Sequence, residues 1–447
     1  MKLGDCAAGR LPCLAVLAAA VFAAYFNALG AGFQFDDFNV IVDNPRVHTW
    51  RAWLDDLGHG IRPILKLSYT LNWVSGWGAA GFHLANIAIH LCNVFLVFAL
   101  ARRFVRVCPQ LSQHPPSVPF FAALLFALHP IHTEAITYAS GRSAALMTLF
   151  YLAGLLVYVS GRECGSKAKL FVLTPLCFVA ALGVKETAVT FPLALLAWSV
   201  AVGEPFKTAF KYQWPSWAVL LLAGLFFLWD GSYLAQMERS AALNSLQGNF
   251  ATQADAFAYL LMQWVLPLWL NIDPDLKVAR GFAGHLPQLF LLAAAFLLML
   301  LAARRRPWIA FGLAWALLQL VPLYVFLPRL DVANERQMYL VSWPLALAVA
   351  AEMAALLKPR GFVLAGATLA MLLAGLTITR NQVYRSEISL WEDTVAKSPG
   401  KARARNNLGY AYLQAGRKSE AETEFRAALE IDPDYYKARN NLEAAQR

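Results

Sequence analysis

The feature that most constrains this chain is the return, again and again, of apolar runs close to bilayer length. A helix needs about 20 apolar residues to cross a hydrocarbon core of about 30 Å. Such runs occur at about 11–29, 83–101, 118–134, 143–160, 169–183, 186–202, 215–233, 286–303, 308–327, 338–357 and 361–379. They predict an all-α, polytopic helical membrane bundle of about 11 spans, occupying residues 1–380. Composition agrees: 59% of the 447 residues are hydrophobic and 15% charged, where a soluble chain carries about 25% charge. A large soluble helical protein is the poorer reading, because the runs end on Arg/Lys clusters. The apolar stretch 257–271 is broken by Pro267 and is read as interfacial or re-entrant.

Charge then orients the bundle. With Lys2 and Arg10 in the cytoplasm, the same side receives Arg102, Arg103 and Arg106, then Arg162, Lys167 and Lys169, Lys207 and Lys211, Arg304–Arg306, and Lys358 with Arg360. The opposite loops hold most of the acids: Asp36, Asp37, Asp43, Asp55, Asp56, Glu134, Glu186, Asp331 and Glu335. This is the positive-inside pattern, and counting 257–271 as a span would break it. The net charge of +10 is therefore a topological signal, and nucleic acid is not an expected partner. The expected location is the cytoplasmic (inner) membrane, multi-pass, with residues 30–82 as the first extracytoplasmic loop. The first run is read as a retained span because it is long for a leader peptide. The six cysteines are scattered, with no Cys/His metal spacing.

After Thr379 the chain turns charged and acquires a period of thirty-four. Trp391 aligns with Phe425, Pro399 with Pro433, and Asn406-Asn407-Leu408 with Asn440-Asn441-Leu442. That period, with Gly409, Ala421 and Ala428 at close-approach positions and Gly416 at the turn, is the tetratricopeptide (TPR) signature. Residues 381–447 are thus a short extracytoplasmic TPR segment, one full unit flanked by half-units. Because a stable array takes about three repeats, this tail needs support from the membrane domain or a partner. Asn406, Asn407, Tyr410, Asn440 and Asn441 are its expected peptide-binding residues, although an Asn there also serves to brace the repeat.

The outer loops and span ends carry the chemistry. One of Asp36 and Asp37 is the expected general base, and the other orients it. Pro63 begins a helix with Arg62 at its N-terminus. His83, Asn86 and His90 share one helix face. In His129-Pro130-Ile131-His132-Thr133-Glu134, the proline turns His132 and Glu134 toward the cavity, with Arg142 following. Lys185-Glu186 is read as an ion pair in a cavity, and Glu335, Arg336 and Tyr339 open a late span, one short loop after Arg329. Arg62, Arg142, Lys185 and Arg336 are the expected phosphate ligands, since forked guanidiniums and ammonium groups offset phosphate charge. Asp36, Asp37 and Glu134 are the catalytic set. His83, Asn86, His129, His132, Glu186, Glu335 and Tyr339 position donor and acceptor. No Gly-rich phosphate loop occurs. No cofactor is specified, and a divalent metal at His83 and nearby acids stays open.

These blocks, with Phe35-Asp36-Asp37, Arg62-Pro63, Leu67-Ser68-Tyr69, Gly141-Arg142 and the terminal repeat, resemble the transmembrane-and-TPR O-mannosyltransferases and their bacterial relatives. That family lies in the C-type glycosyltransferase superfamily. The resemblance implies a membrane enzyme of about eleven spans that moves a mannose-like sugar from a polyprenyl-phosphate donor to a hydroxyl, typically Ser or Thr of an exported protein. It also implies an Asp of the first outer loop as base, which falls on Asp36 or Asp37. The chain departs from the large members in having about one and a half repeats. The expected activity is that of an inverting glycosyltransferase whose partners are the lipid-linked sugar, a protein or peptide acceptor and membrane lipids. Rival readings are a membrane-anchored TPR adaptor and a lipid-linked sugar transporter.

Overall fold

A computed structural model describes residues 10–58, 61–108, 111, 117–229, 238, 245–322, 325 and 331–446. Helices dominate, and no strand occurs among the described residues. Among the described residues five helices are long and apolar enough to cross a membrane: Leu11–Gly30, Gly78–Val107, Ala139–Cys164, Glu335–Leu356 and Pro359–Val383. A sixth forms if Val118–Leu128 and Pro130–Ile136, bent by 50° at the intervening residue, count as one span.

The expected eleven spans are therefore not reached. Four of the other apolar runs form shorter helices, Lys169–Leu182, Glu186–Ala201, Leu286–Ala302 and Pro307–Leu320, and the described part of the run 215–233 lies in the helix Phe206–Trp229. Polar or helix-breaking residues cut them: Gly183 and Lys185 between the first two, Arg304–Arg306 and Pro307 between the last two. The 14 residues of Pro307–Leu320 extend only about 21 Å at 1.5 Å per residue. Residues 230–233 of the run 215–233, residues 323–324 and 326–327 of the run 308–327, and Arg329 lie outside the described residues. The stretch 257–271 begins inside a longer helix, Leu246–Val265, that stops before Pro267.

The surface suits lipid. Leu221, Leu222, Leu364, Met371, Phe290 and Leu301 are all more than half exposed, which in water would be an aggregating face. Helix-forming segments satisfy their own backbone groups, so such a surface is stable in hydrocarbon. The interior is tied by edge-on aromatic packing, with Trp315 and Trp343 ring centroids 5.3 Å apart and Phe311 against both.

Contacts between span ends gather one set of loops together. His83 at the start of one span meets the Ala31 carbonyl beyond another at 3.0 Å. Thr137 donates to Asn381 Oδ1 at 2.6 Å, and the Gln34 amide donates to the Tyr384 carbonyl. The tail lies at this same end. Its helices Glu387–Lys397, Ala402–Gln414, Lys418–Ile431 and Tyr436–Ala445 pack Trp391, Leu408, Tyr412, Ala421 and Phe425 into one core. Gly409 is obligatory there, because a Cβ would stand 2.7 Å from the Phe425 ring. The tail finds its support on the membrane domain: Arg403 pairs with Asp273 and with Asp331 at 2.7 Å, and Asn271 donates to Ser398 at 2.8 Å.

Candidate active site

The first acid loop is built around a strained turn. Phe35 has φ 45°, in the left-handed region that side chains rarely adopt without surrounding constraint. It sets the two aspartates apart. Asp37 is buried, and its carboxylate accepts from the backbone N–H groups of Gln34 at 3.0 Å and Ser140 at 2.7 Å. Burial drives its pKa up to about 7 against those two bonds. Asp36 is half-buried, with its N–H donating to the Tyr138 hydroxyl at 2.9 Å. Burial raises its pKa, and Arg336 is the strongest opposing influence. The adjacent acids thus differ in kind: Asp37 is tied to backbone, and Asp36 stands in the field of Arg336.

Arg336 is fixed by Glu134. The buried Glu134 carboxylate accepts from the Arg336 backbone N–H at 2.9 Å and lies 3.3 Å from its Nε. The turn that presents Glu134 requires Gly141, where a Cβ would fall 1.9 Å from the Glu134 carbonyl oxygen. Arg336 then lines a small, largely enclosed pocket with Lys185, Thr187, Gln319 and Gln337. Ala144, Met147 and Leu340 complete it, together with Thr148, whose buried hydroxyl has no hydrogen-bond partner among the described residues. The Thr148 hydroxyl and the two cationic side chains make this lining polar. Beside the pocket, Glu186 takes a bidentate grip from Arg62, at 2.8 Å on each oxygen. Arg62 precedes Pro63 at φ 61°, a second strained residue at this end.

Several expected site residues go elsewhere. Arg142 is fully buried and does not line the pocket. Its Nε donates to Asn86 Oδ1 at 2.6 Å, Nη1 to the Ser68 carbonyl at 2.9 Å and Nη2 to the Phe82 carbonyl at 3.0 Å, while the guanidinium lies over Tyr69 and Phe82. A guanidinium so enclosed is not presented to a phosphate. Glu186, expected as the partner of Lys185, takes Arg62 as its forked partner and also lies in the field of Lys185. Asn86 donates to the Ile136 carbonyl at 3.0 Å, bracing the loop ahead of Arg142. His129 stacks on Trp264 at 5.4 Å and meets its carbonyl at 2.8 Å. His132 is enclosed by Phe126, Tyr339, His90 and His129. Tyr339 bonds to His90 Nδ1 at 2.6 Å and accepts from Asn93 at 3.2 Å; since His90 Nε2 faces the Ala127 carbonyl at 3.0 Å, Nε2 carries the proton and the Tyr339 hydroxyl donates. Glu335 is buried 3.7 Å from Arg380. These groups hold the loops; they do not line the pocket.

In the tail, Asn441 donates to Asn406 Oδ1 at 3.0 Å and Asn406 to Asn407 Oδ1 at 3.1 Å, an amide ladder that ties the last tail helix to Ala402–Gln414. Tyr410 and Asn440 are exposed. Among the described residues no three His, Cys, Asp or Glu side chains cluster as a metal site would need.

Thr148, Gln319, Gln337 and Arg380 were not singled out by the sequence. Gln319 carries a retrospective signal, an amide inside an otherwise apolar run.

Fold and pocket together define a helical membrane protein with a short TPR tail and an acid-and-cation site at the end that the tail covers. The tetratricopeptide repeat family model matches residues 402–435. A protein O-mannosyl-transferase of Caenorhabditis elegans is 25% identical over 446 residues, covering 92% of this chain and 61% of the relative. Protein O-mannosyl-transferase Tmtc3 of Drosophila melanogaster is 26% identical over 511 residues, covering 94% of this chain and 55% of the relative. Tmtc1 of the same fly reaches 36% over 196 residues, 40% of this chain and 21% of the relative. The chain is similar to these O-mannosyl-transferases, and it spans at most about three-fifths of the length of these relatives. No solved structure matches it.

Proposed function

We propose that the chain is an inverting glycosyltransferase of the cytoplasmic membrane. It moves a mannose-like sugar from a polyprenyl phosphate to a hydroxyl, that of Ser or Thr in an exported protein. The observation that carries this reading is the shared pocket of Lys185 and Arg336, with the Asp36 carboxyl in the field of Arg336. The O-mannosyl-transferase names of its relatives supply the sugar class.

The acceptor hydroxyl attacks the anomeric carbon from the face opposite the phosphate. A bond forms from acceptor oxygen to anomeric carbon as the carbon–phosphate oxygen bond breaks. The acceptor proton passes to Asp36, and the electron pair leaves on the polyprenyl phosphate. Lys185 and Arg336 offset the charge that develops on the phosphate in a largely dry site, where such offsets are strongest. The raised pKa of Asp36 suits a base, because a more basic carboxylate takes the proton more readily. Glu134 and the Arg62–Glu186 pair keep the cations in place, and Asp37 fixes the loop. In this reading the acid-rich end, which includes the tail, faces the extracytoplasmic side, opposite the Arg/Lys-rich loops.

The test is transfer of labelled mannose from polyprenyl-phosphate mannose to a Ser/Thr peptide by the purified full chain. The reading expects transfer that Asp36→Asn abolishes with the thermal transition unchanged. Equal transfer by wild type and Asp36→Asn would remove Asp36 as base, and no transfer by wild type would remove the activity.

A further inference from the structure

The tail's first helix, Glu387–Lys397, holds the residue immediately before each of two pocket-end groups. Phe35, which precedes Asp36, donates its backbone N–H to Glu387 Oε1 at 2.8 Å. Its ring meets Trp391 edge-on at 5.0 Å and 81°. Glu335, which precedes Arg336, lies 3.7 Å from Arg380, and Arg380 in turn donates to Asp393 at 2.7 Å. Lys397 closes the second arm, at 2.7 Å from Asp393 and with a 2.7 Å bond to the Leu270 carbonyl.

A left-handed Phe35 persists only where its surroundings over-determine it, and two of those constraints, Glu387 and Trp391, come from the tail. A base displaced by about 1 Å loses much of its effectiveness. We infer that Glu387, Trp391 and Asp393 are positioning residues that set Asp36 and Arg336 relative to each other, making the first tail helix a structural part of the transferase site. This inference rests on the proposed transfer reaction. The amide ladder agrees with it, since Asn406, Asn407 and Asn441 are engaged with one another.

The experiment uses the full chain in lipid nanodiscs with polyprenyl-phosphate mannose and a Ser/Thr peptide. Trp391→Ala and Glu387→Ala are expected to lower kcat about ten- to a hundredfold, with both KM values within about twofold, and Trp391→Phe to restore most of the rate by keeping an edge-on ring. Arg426→Ala, at an exposed pair on a later tail helix, serves as the neutral control. Amide exchange supplies a readout that needs no turnover: both alanine variants should speed exchange at residues 34–37 about tenfold. Glu387→Ala decides the matter if Trp391→Ala does not fold. A raised peptide KM with unchanged kcat would overturn the inference and make the helix an acceptor-binding surface, and unchanged exchange at residues 34–37 would overturn it too. If the wild type transfers no sugar, the proposed reaction fails, and the exchange measurement alone decides the positioning role.

Discussion

Arg142 is buried and Arg336 half-buried at the same end of the bundle, and their surroundings divide them. Arg142 is enclosed by two backbone carbonyls, the Asn86 amide oxygen and two aromatic faces. Arg336 is anchored by Glu134 on one side and lines a pocket with Lys185 on the other. An arginine whose donors are all met by the protein holds loops together. One that is held from behind and lines a cavity can meet a ligand. The difference lies in how many acceptors the fold brings to each, a property that the two residues do not carry in themselves.

The sharpest way to break this comparison is to remove Arg142. Arg142→Ala leaves the Asn86, Ser68 and Phe82 acceptors unpaired, and each unpaired buried group costs about 1–3 kcal/mol. The expected outcome is loss of monodisperse protein by size-exclusion chromatography in detergent. Arg336→Lys, which retains a cation, should yield folded protein with impaired transfer. If Arg142→Ala folds normally and only its donor KM rises, the assignments of the two arginines are reversed.

Next in size is the pair of aspartates. Asp36→Asn should lower kcat about 10²–10⁴-fold, the range for loss of a general base, measured by mannose transfer at saturating donor. Lys185→Gln should then raise the donor KM about tenfold and leave the peptide KM unchanged, since a charge-assisted bond to phosphate contributes about 1.5–3 kcal/mol. An equal rise in both KM values would place Lys185 outside the donor site.

Asp37 gives a pH-dependent prediction. Its carboxyl has a folded pKa of about 7, pushed up by burial, above the ordinary value near 3.9 for an exposed Asp. Between about pH 4 and 7 the folded state therefore binds more protons than the unfolded one, so its contribution to stability falls as pH rises through that window. Thermal transitions of the wild type should decline from pH 5 to pH 8 more steeply than those of Asp37→Asn. Parallel profiles would show that Asp37 does not titrate in this window. The smallest effect is expected at the tail surface, where Tyr410→Ala should raise the peptide KM about two- to fivefold, the scale of a single exposed contact. Asn406→Ala should instead lower the thermal transition by breaking the amide ladder.

The 34-residue period was legible because TPR packing repeats small and large residues at fixed spacing, as Gly409 against Phe425 and the shared core of Trp391 and Phe425 show. The span count was not. Hydropathy reports which residues avoid water, and it does not distinguish a full crossing from helices cut by Gly183, Lys185 or Arg304–Arg306. The individual roles at the site were also hidden. Asp36 and Asp37 are chemically identical and adjacent in sequence, and only the φ of Phe35 and the N–H groups of Gln34 and Ser140 separate them.

By itself the sequence determined the helical membrane class, the repeat tail and the inventory of acids and cations, because periodicity and composition are local properties of the chain. The tertiary structure alone decided that Glu186 pairs with Arg62, that Arg142 is enclosed, that Thr148 and Gln319 join Lys185 and Arg336, and that Trp391 reaches back to Phe35. Each of these depends on hydrogen-bond partners and ring contacts tens to hundreds of residues apart, which only packing brings together.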